Sequence, residues 1–348
     1  MKQFKISDHF IGDGNPTFVI AEIAQSHEGS LGIARSYIDA VAETGADAIK
    51  FQTHLAKFES TLDEPFRISF SRQDKSRFDY WKRMEFTEEE WEELAKHANK
   101  KGLIFLSSPF SIEAVNLLDK INVPAWKIGS GEFASDFILE YIAKTKKPVL
   151  LSTGMSTYDD IRNMVKKIEG YNLDYAILQC TSSYPTKLED VGLNVIEDLR
   201  RVYDCPVGLS DHSGTLFPAL TALARRINII EVHVTFDKRL FGPDVSSSIT
   251  LDDLSFLVEV KNAIYTMDQN PVNKDEMAIK LSELRKIFSK SIATSRFLSK
   301  GTVLEENMIA PKKPGTGIPF SEKSKIIGKS LKHDIYPDRL LKWEDLND

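Results

Sequence analysis

Cysteine is nearly absent from this chain of 348 residues: Cys180 and Cys205 are the only two. That is too few for a disulfide framework or a Cys-based zinc site, and Cys180 reads as a packed strand residue. Positive charge is in the minority. Forty-five Lys and Arg face 51 Asp and Glu, a formal net charge of −6, and no long basic run interrupts the balance, which argues against a nucleic-acid partner. No apolar run nears the ~18 residues that a membrane span requires. Residues 1–15 carry charges and glycines but no apolar h-region, so no secretory signal is expected. A glycine-rich nucleotide loop is also missing; the nearest approach, Gly129-Ser-Gly131, lacks the third glycine and the pattern around it. What remains is an average globular composition, 42% apolar and 28% charged, and the expectation of a cytoplasmic protein.

The first three-quarters of the chain repeat one unit, a short apolar run followed by a helical segment. The runs are residues 18–23 (FVIAEI), 48–52 (AIKFQ), 104–107 (IFLS), 125–128 (AWKI), 149–152 (VLLS), 175–179 (YAILQ), 207–209 (VGL) and 229–234 (IIEVHV). Most are apolar nearly throughout, as strands buried on both faces of a parallel sheet must be. Amphipathic stretches lie between them, at 35–43, 87–100, 112–120, 158–168 and 251–263. The second of these opens TEEE, a helix cap followed by acids at the positive end of the dipole. Eight such units in a row predict an α/β fold, a (β/α)8 TIM barrel; an open doubly wound sheet is the competing arrangement and would normally carry fewer units.

Two segments depart from the repeat. Residues 57–84, including FRISFSRQDKSRFDYWKRM, delay the third strand and read as an excursion beyond the barrel rim, a lid or an oligomer contact. After residue 263 the composition shifts: MDQNPVNKD resembles a linker, EMAIKLSELRKIF a short helix, and residues 290–348 a loop-rich unit with short β runs. The expected organisation is therefore a barrel over 1–268, a linker over 269–285 and a small β-rich domain over 286–348, too small to be stable without support.

Barrel chemistry lies at the C-terminal ends of the strands, and there nearly every run turns polar. Glu22 follows the first, Lys50 and Gln52 lie in the second, and Ser107 and Ser108 close the third. Lys127, Ser130 and Glu132 follow the fourth, Ser152 and Thr153 the fifth, and Gln179 through Tyr184 the sixth; the seventh ends Ser210-Asp211-His212 and the eighth contains His233. Unpartnered, such groups would cost about 1–3 kcal/mol each on burial, so a site at this rim is the economical reading. His212 and His233 fall on adjacent strands. They form a divalent-metal pair, Mn²⁺ or Zn²⁺ by donor type, or else either one hydrogen-bonds a neighbour or acts as a general base. Of the other histidines only His27 is expected near the site; His54 reads as a loop residue. Lys50 and Lys127, with Ser108, Ser130, Ser152, Ser182 and Ser210, make an anion cradle, although a Schiff-base lysine is the rival reading for either one. Glu22 and Glu132 are either acid–base groups or counter-charges to those lysines.

These residues stand in segments that resemble the N-acetylneuraminate (sialic acid) synthase family, which includes legionaminate and pseudaminate synthases: IAEIAQSHEGSL (20–31), IKFQTH (49–54), LSSPF (106–110), WKIGSGE (126–132), LLSTGM (150–155), CTSSYPT (180–186), GLSDHS (208–213) and FGPD (241–244). The tail segment SKGTVLEENMIAPKKPGTGI (299–318) is similar to the family's C-terminal antifreeze-like (SAF) domain. The resemblance implies a carbon–carbon bond-forming transferase that condenses phosphoenolpyruvate (PEP) with an N-acylated hexosamine, releasing phosphate and a nonulosonic acid. It places Lys50, Ser108, Lys127, Ser130, Ser152, Ser182 and Ser210 around PEP. Glu22, Gln52, Tyr184 and Asp244 would face the sugar, with Glu132 as proton acceptor for water. His212 and His233 would hold a metal, Mn²⁺ first, with Mg²⁺, Co²⁺ or Zn²⁺ as alternatives. It also implies a domain-swapped homodimer.

Two positions depart from the family pattern. Lys313 stands where well-studied members have an arginine that meets the sugar's N-acyl group across the dimer, and lysine lacks the planar fork. Ser182 replaces an asparagine of the phosphate pocket. The acceptor is left as N-acetylmannosamine or a 2,4-diacetamido-6-deoxy sugar, phosphorylated or not. Two rival functions remain: another barrel condensing PEP or pyruvate, and a non-catalytic carbohydrate-binding protein.

Overall fold

The computed structural model describes residues 2–68, 70–71 and 73–347. The excursion expected at 57–84 includes Ser69 and Arg72, which lie outside the described residues. The chain divides into two compact units between Gln269 and Asn270.

The first unit opens with a hairpin, β1 (Phe4–Ile6) antiparallel to β2 (His9–Ile11). Eight parallel strands follow: β3 (Phe18–Ala24), β4 (Ala48–Thr53), β5 (Ile104–Pro109), β6 (Trp126–Ile128), β7 (Val149–Ser152), β8 (Tyr175–Cys180), β9 (Val207–Asp211) and β10 (Ile229–Thr235). Their order is β5-β4-β3-β10-β9-β8-β7-β6, and β5 lies beside β6, so the sheet is a nearly closed (β/α)8-type barrel. All eight coincide with the runs picked out from hydropathy; six extend one or two residues further at the C-terminal end, and β6 starts one residue later than its run. A two-residue strand, β11 (Ile249–Thr250), adds to β10.

Helices α1 (Leu31–Thr44), α4 (Glu88–Lys100), α5 (Ile112–Lys120), α6 (Asp136–Lys144), α7 (Tyr158–Gly170), α8 (Leu193–Val202), α9 (Phe217–Ala224) and α10 (Leu251–Gln269) alternate with the strands, and two short ones, α2 (Ala56–Glu59) and α3 (Arg77–Met84), belong to the excursion. Helix α4 shows why they form. Thr87 and Glu90 cap each other's backbone N–H, and Trp91, Leu94, Ala95 and Ala98 recur at helical spacing and are buried. Outward-facing strand residues such as Val19, Ile49, Leu151 and Val232 join those helix faces in one large core.

The barrel interior is a second, separate core. Phe18, Ile20, Ala48, Ile104, Leu106, Leu150, Leu178 and Ile229 point inward, and Phe4, Ile6 and Ile11 of the hairpin pack on them. Because inward residues recur every second position, the same face of each strand is apolar at its start and charged or hydroxylic at its end: Ile20 then Glu22, Ala48 then Lys50, Ile229 then Glu231 and His233. Helices α6, α8 and α9 fall where the repeat calls for a helical segment, although their spans were not marked out, and the hairpin escaped the hydropathy reading. The hairpin strands have three residues each, too few to show a period, and α9 (FPALTALA) has almost no polar face.

The second unit starts with α11 (Lys274–Lys280) and α12 (Ser282–Phe288), where a single helix over 276–288 was expected; Leu281 separates them. Beyond them β12 (Ser291–Thr294) pairs antiparallel with β13 (Ile309–Lys312). A small core of Ile292, Leu298, Leu304, Ile318, Ile326, Leu331 and Leu341 holds its loops.

Candidate active site

Four buried charges lie across the barrel above the apolar layer. Glu22 on β3 stands beside Lys50 on β4 in the sheet register, and Lys50 Nζ lies 2.6 Å from Glu22 Oε2. Lys127 Nζ on β6 donates to Glu231 Oε1 on β10 at 3.1 Å, and Lys50 is also 3.8 Å from Glu231. Ser210 Oγ donates to the same Glu231 oxygen, 3.0 Å away. The counter-charge that the two lysines demand is thus supplied by Glu22 and by Glu231, a residue the strand reading passed over. Its signal was present in the sequence: a glutamate at the centre of IIEVHV, on the inward face shared with His233. Glu132, the other counter-charge considered, is turned elsewhere and accepts from Ser135 at 2.7 Å.

Burial and mutual repulsion separate the two glutamates. Desolvation, reinforced by Glu231, pushes the Glu22 carboxyl up to about 7, against the pull of Lys50. Glu231 goes the other way, held down to about 2 because both ammoniums outweigh its burial. Lys50 is correspondingly raised by its two carboxylates. A lysine held charged in this way is unsuited to Schiff-base chemistry, which needs the neutral amine.

The hydroxyls surround this cluster. Lys50 Nζ donates to Ser108 Oγ at 3.4 Å. Ser130 Oγ accepts from the Gly154 backbone N–H at 2.9 Å and donates to Cys180 Sγ at 3.6 Å. Ser152 Oγ is buried without a hydrogen-bond partner, the state of a group that awaits a ligand oxygen. Gly154 matters through its missing side chain. A Cβ there would lie 2.3 Å from Ser182 Oγ, 2.8 Å from Ser130 Oγ and 2.9 Å from Cys180 Sγ.

His212 and His233 face each other with ring centroids 5.1 Å apart. His212 Nδ1 donates to the Thr181 carbonyl at 3.1 Å, which leaves Nε2 as the free nitrogen, 3.1 Å from the Tyr184 hydroxyl that donates to it. Burial lowers both imidazoles, His212 to about 4 and His233 well below its ordinary value. Two neutral rings, one with its tautomer fixed by a backbone carbonyl, are what metal ligation requires. Among the described residues no group of three or more His, Cys, Asp or Glu is arranged around one metal position. The pair therefore fits a divalent ion that takes its remaining ligands from water and substrate oxygens.

Above the charges opens a cavity of about 410 Å³. Gln52, Ser130, Glu132, Ser182, Tyr184, His233 and Asp244 line it, so the structure brings together most of the residues singled out from sequence; Glu22, Lys50, Ser108, Lys127, Ser152, Ser210 and His212 lie in the buried layer within the barrel. Lys313 belongs to the second unit, where its ammonium lies over the Phe288 ring at 5.0 Å. The excursion forms one wall of the cavity. Ala56, Tyr80, Trp81 and Met84 pack into a cluster of their own, and Arg67 extends from it to donate to Asp244 Oδ1 at 2.8 Å while covering the Tyr184 ring at 4.2 Å.

Two histidine expectations are reversed. His27 does not join the site: it is fully buried against Phe86 and Phe51, its Nδ1 accepting from the Gly29 N–H at 3.1 Å. His54 does line the cavity, stacked between Trp81 and Phe110. Its Nδ1 is 2.7 Å from Glu59, a partner supplied by the excursion, whose fold no local pattern revealed.

Comparison with known proteins agrees with this fold. The model of the NeuB family matches residues 37–273, and that of the SAF domain matches 289–347. An uncharacterised protein of Methanocaldococcus jannaschii is 36% identical over 99% of both chains. The N,N'-diacetyllegionaminic acid synthase of Legionella pneumophila is 32% identical over 96% of each. Among solved structures, the N-acetylneuraminic acid synthetase of Leptospira borgpetersenii, crystallised with citrate, superposes with a TM-score of 0.71 at 29% identity, covering 82% of this chain and 98% of that one. The chain belongs to the NeuB family and ends in a SAF domain.

Proposed function

We propose that the protein is a PEP-dependent synthase that joins PEP to an N-acylated hexosamine, yielding a nonulosonic acid and phosphate. The observation that carries this reading is the anion cradle: two buried ammoniums and a ring of serine hydroxyls, one of them unpartnered, directly below a sugar-sized cavity.

PEP brings a phosphate and a carboxylate, and Lys50, Lys127 and the hydroxyls of Ser108, Ser130, Ser152, Ser182 and Ser210 answer both. Gly154 leaves the space that their convergence needs. The acceptor's open-chain aldehyde lies in the cavity, where Gln52, Tyr184 and Asp244 orient its hydroxyl and N-acyl groups. His212 and His233 would hold the divalent ion, Mn²⁺ in the first instance, which when bound polarises the aldehyde oxygen. The PEP methylene carbon attacks the aldehyde carbon, and Glu22, poised near neutrality, delivers the proton that the new alkoxide takes up. The former enol carbon is left cationic and adds water, whose proton passes to Glu132, a carboxyl raised by its half-buried position. The tetrahedral intermediate then expels phosphate. The acceptor is N-acetylmannosamine or a 2,4-diacetamido-6-deoxy sugar, and a homodimer with exchanged SAF domains, in which Lys313 takes the place of the family's arginine, completes the reading.

Phosphate release from PEP with Mn²⁺, measured against a panel of these acceptors, tests it; turnover of pyruvate in place of PEP, or no phosphate with any acceptor, rejects it. His212→Ala is expected to lose metal-dependent turnover with the fold intact, and full activity in that variant would remove the metal assignment.

A further inference from the structure

We propose that His54 and Glu59 are positioning residues: together they hold the Gln52 amide in the orientation that donates to Glu22, and so aim that carboxylate. The inference deepens the reaction assigned above and rests on it for the role of Glu22.

A continuous hydrogen-bonded chain runs from the cavity wall into the barrel. Glu59 Oε1 is 2.7 Å from His54 Nδ1, and His54 Nε2 is 3.2 Å from Gln52 Oε1. Gln52 Nε2 donates to Glu22 Oε1 at 3.0 Å, and Glu22 meets Lys50. Gln25 Nε2 adds a second donor to Gln52 Oε1 at 2.7 Å. An amide has one donating and one accepting end, so its orientation is decided by what faces it. Reversed, Gln52 would set its oxygen against the Glu22 carboxylate and its NH2 against the Gln25 donor. Only the observed orientation lets Gln52 donate to Glu22 Oε1, the oxygen that Lys50 does not hold.

His54 bears on that choice from the other side: its Nδ1 faces Glu59 Oε1 and its Nε2 faces Gln52 Oε1, so an N–H donated from Nε2 keeps the amide oxygen turned toward the ring and the amide nitrogen toward Glu22. Trp81 and Phe110 stack on the two faces of the ring at centroid distances of 3.8 and 4.2 Å and tilts of 14° and 12°, which fixes its plane. Glu59 meets its edge. Glu59 Oε2 has no other hydrogen-bond partner, so this carboxylate is committed to His54. The arrangement joins two elements of independent origin, β4 and its following loop with Gln52 and His54, and α2 of the excursion with Glu59.

Three variants of the full-length protein separate positioning from packing. His54→Phe preserves the aromatic stack and removes both hydrogen bonds. Its melting temperature should stay near that of wild type, while kcat falls at least about ten-fold and KM for PEP moves less than about three-fold. His54→Gln, which keeps an N–H directed at Gln52, should recover part of kcat, and Glu59→Gln, which removes the charge, should fall between. Wild-type kcat in His54→Phe, or equal losses in the Phe and Gln variants that track their melting temperatures, would overturn the proposal. If wild type releases no phosphate from PEP with any acceptor, the reaction reading fails, and ¹⁵N shifts of histidine-labelled protein decide the positioning claim. A protonated-type Nε2 at His54 that shifts in Gln52→Leu supports it; a lone-pair-type Nε2 overturns it.

Discussion

At the scale of single residues, Glu231 governs the chemistry of two lysines without facing the cavity. It holds Lys127 directly and shares Lys50 with Glu22, so that two ammoniums and two carboxyl groups sit together out of water. Breaking such a set by removing one partner leaves an uncompensated ammonium. Glu231→Gln is therefore expected to cost about 3–5 kcal/mol in urea unfolding, and binding of PEP should change with it. Gly154 is the opposite case, where function needs an atom to be missing. Gly154→Ala would press on Ser130, Ser182 and Cys180, and serine hydroxyls escape by rotating out of the cradle. The expected result is a KM for PEP raised about ten-fold or more with a stability loss of only about 1–3 kcal/mol, read by steady-state kinetics beside thermal unfolding. The sequence showed Glu22, Lys50, Lys127 and the histidines as polar ends of apolar runs. Glu231 was visible there only as a mid-strand glutamate in phase with His233, and Gly154 not at all: both acquire their roles from what packs around them.

Among the elements, the N-terminal hairpin stands out because it closes the end of the barrel opposite the chemistry. Ile6 is fully buried, as are its neighbours Ile20, Leu106 and Leu150. Ile6→Ala should lower stability by about 2–5 kcal/mol, with kcat and KM of the folded enzyme unchanged, because the damage lies on the side of the apolar layer away from Glu22 and Lys50. A shift in KM would show that the two ends communicate. The hairpin also marks where hydropathy stops being informative. Strands of the barrel were legible because most are apolar over four residues or more and each is followed by a helical segment; β1 and β2 bury three apolar side chains between them, and nothing local distinguishes them from a charged, glycine-containing leader. The excursion was legible as an interruption, but the pairing of Glu59 with His54 depends on a tertiary fold.

For the whole molecule, acid should be more damaging than the carboxylates alone suggest. His27, His212 and His233 are all buried neutral, His27 lowered to about 3 by burial from an ordinary 6.5. Unfolded, each takes up a proton below 6.5 while the native state refuses it, so this contribution to stability is complete above that pH and drains away as pH falls toward 3. Glu22, raised to about 7, works in the opposite sense, since its ionisation is disfavoured only in the native state. A variant isolates the histidine effect. Between pH 7 and 4, wild type should lose about 3 kcal/mol more than His27→Asn in urea unfolding; parallel losses would mean that His27 is protonated in the fold.

The barrel is closed by its first and last strands. β3 pairs with β10, Ile20 opposite Glu231, and the hairpin rests partly on Ile229. A ribosome delivers those partners about 210 residues apart, which at roughly 5–20 residues per second is some 10–40 seconds. Through that interval the edge of β3 is open and Phe4, Ile6 and Ile11 lack part of their seat. A nascent chain stalled before residue 229 would carry an unpaired strand and an exposed apolar hairpin at once, and so would be a substrate for chaperones and aggregation, not for PEP.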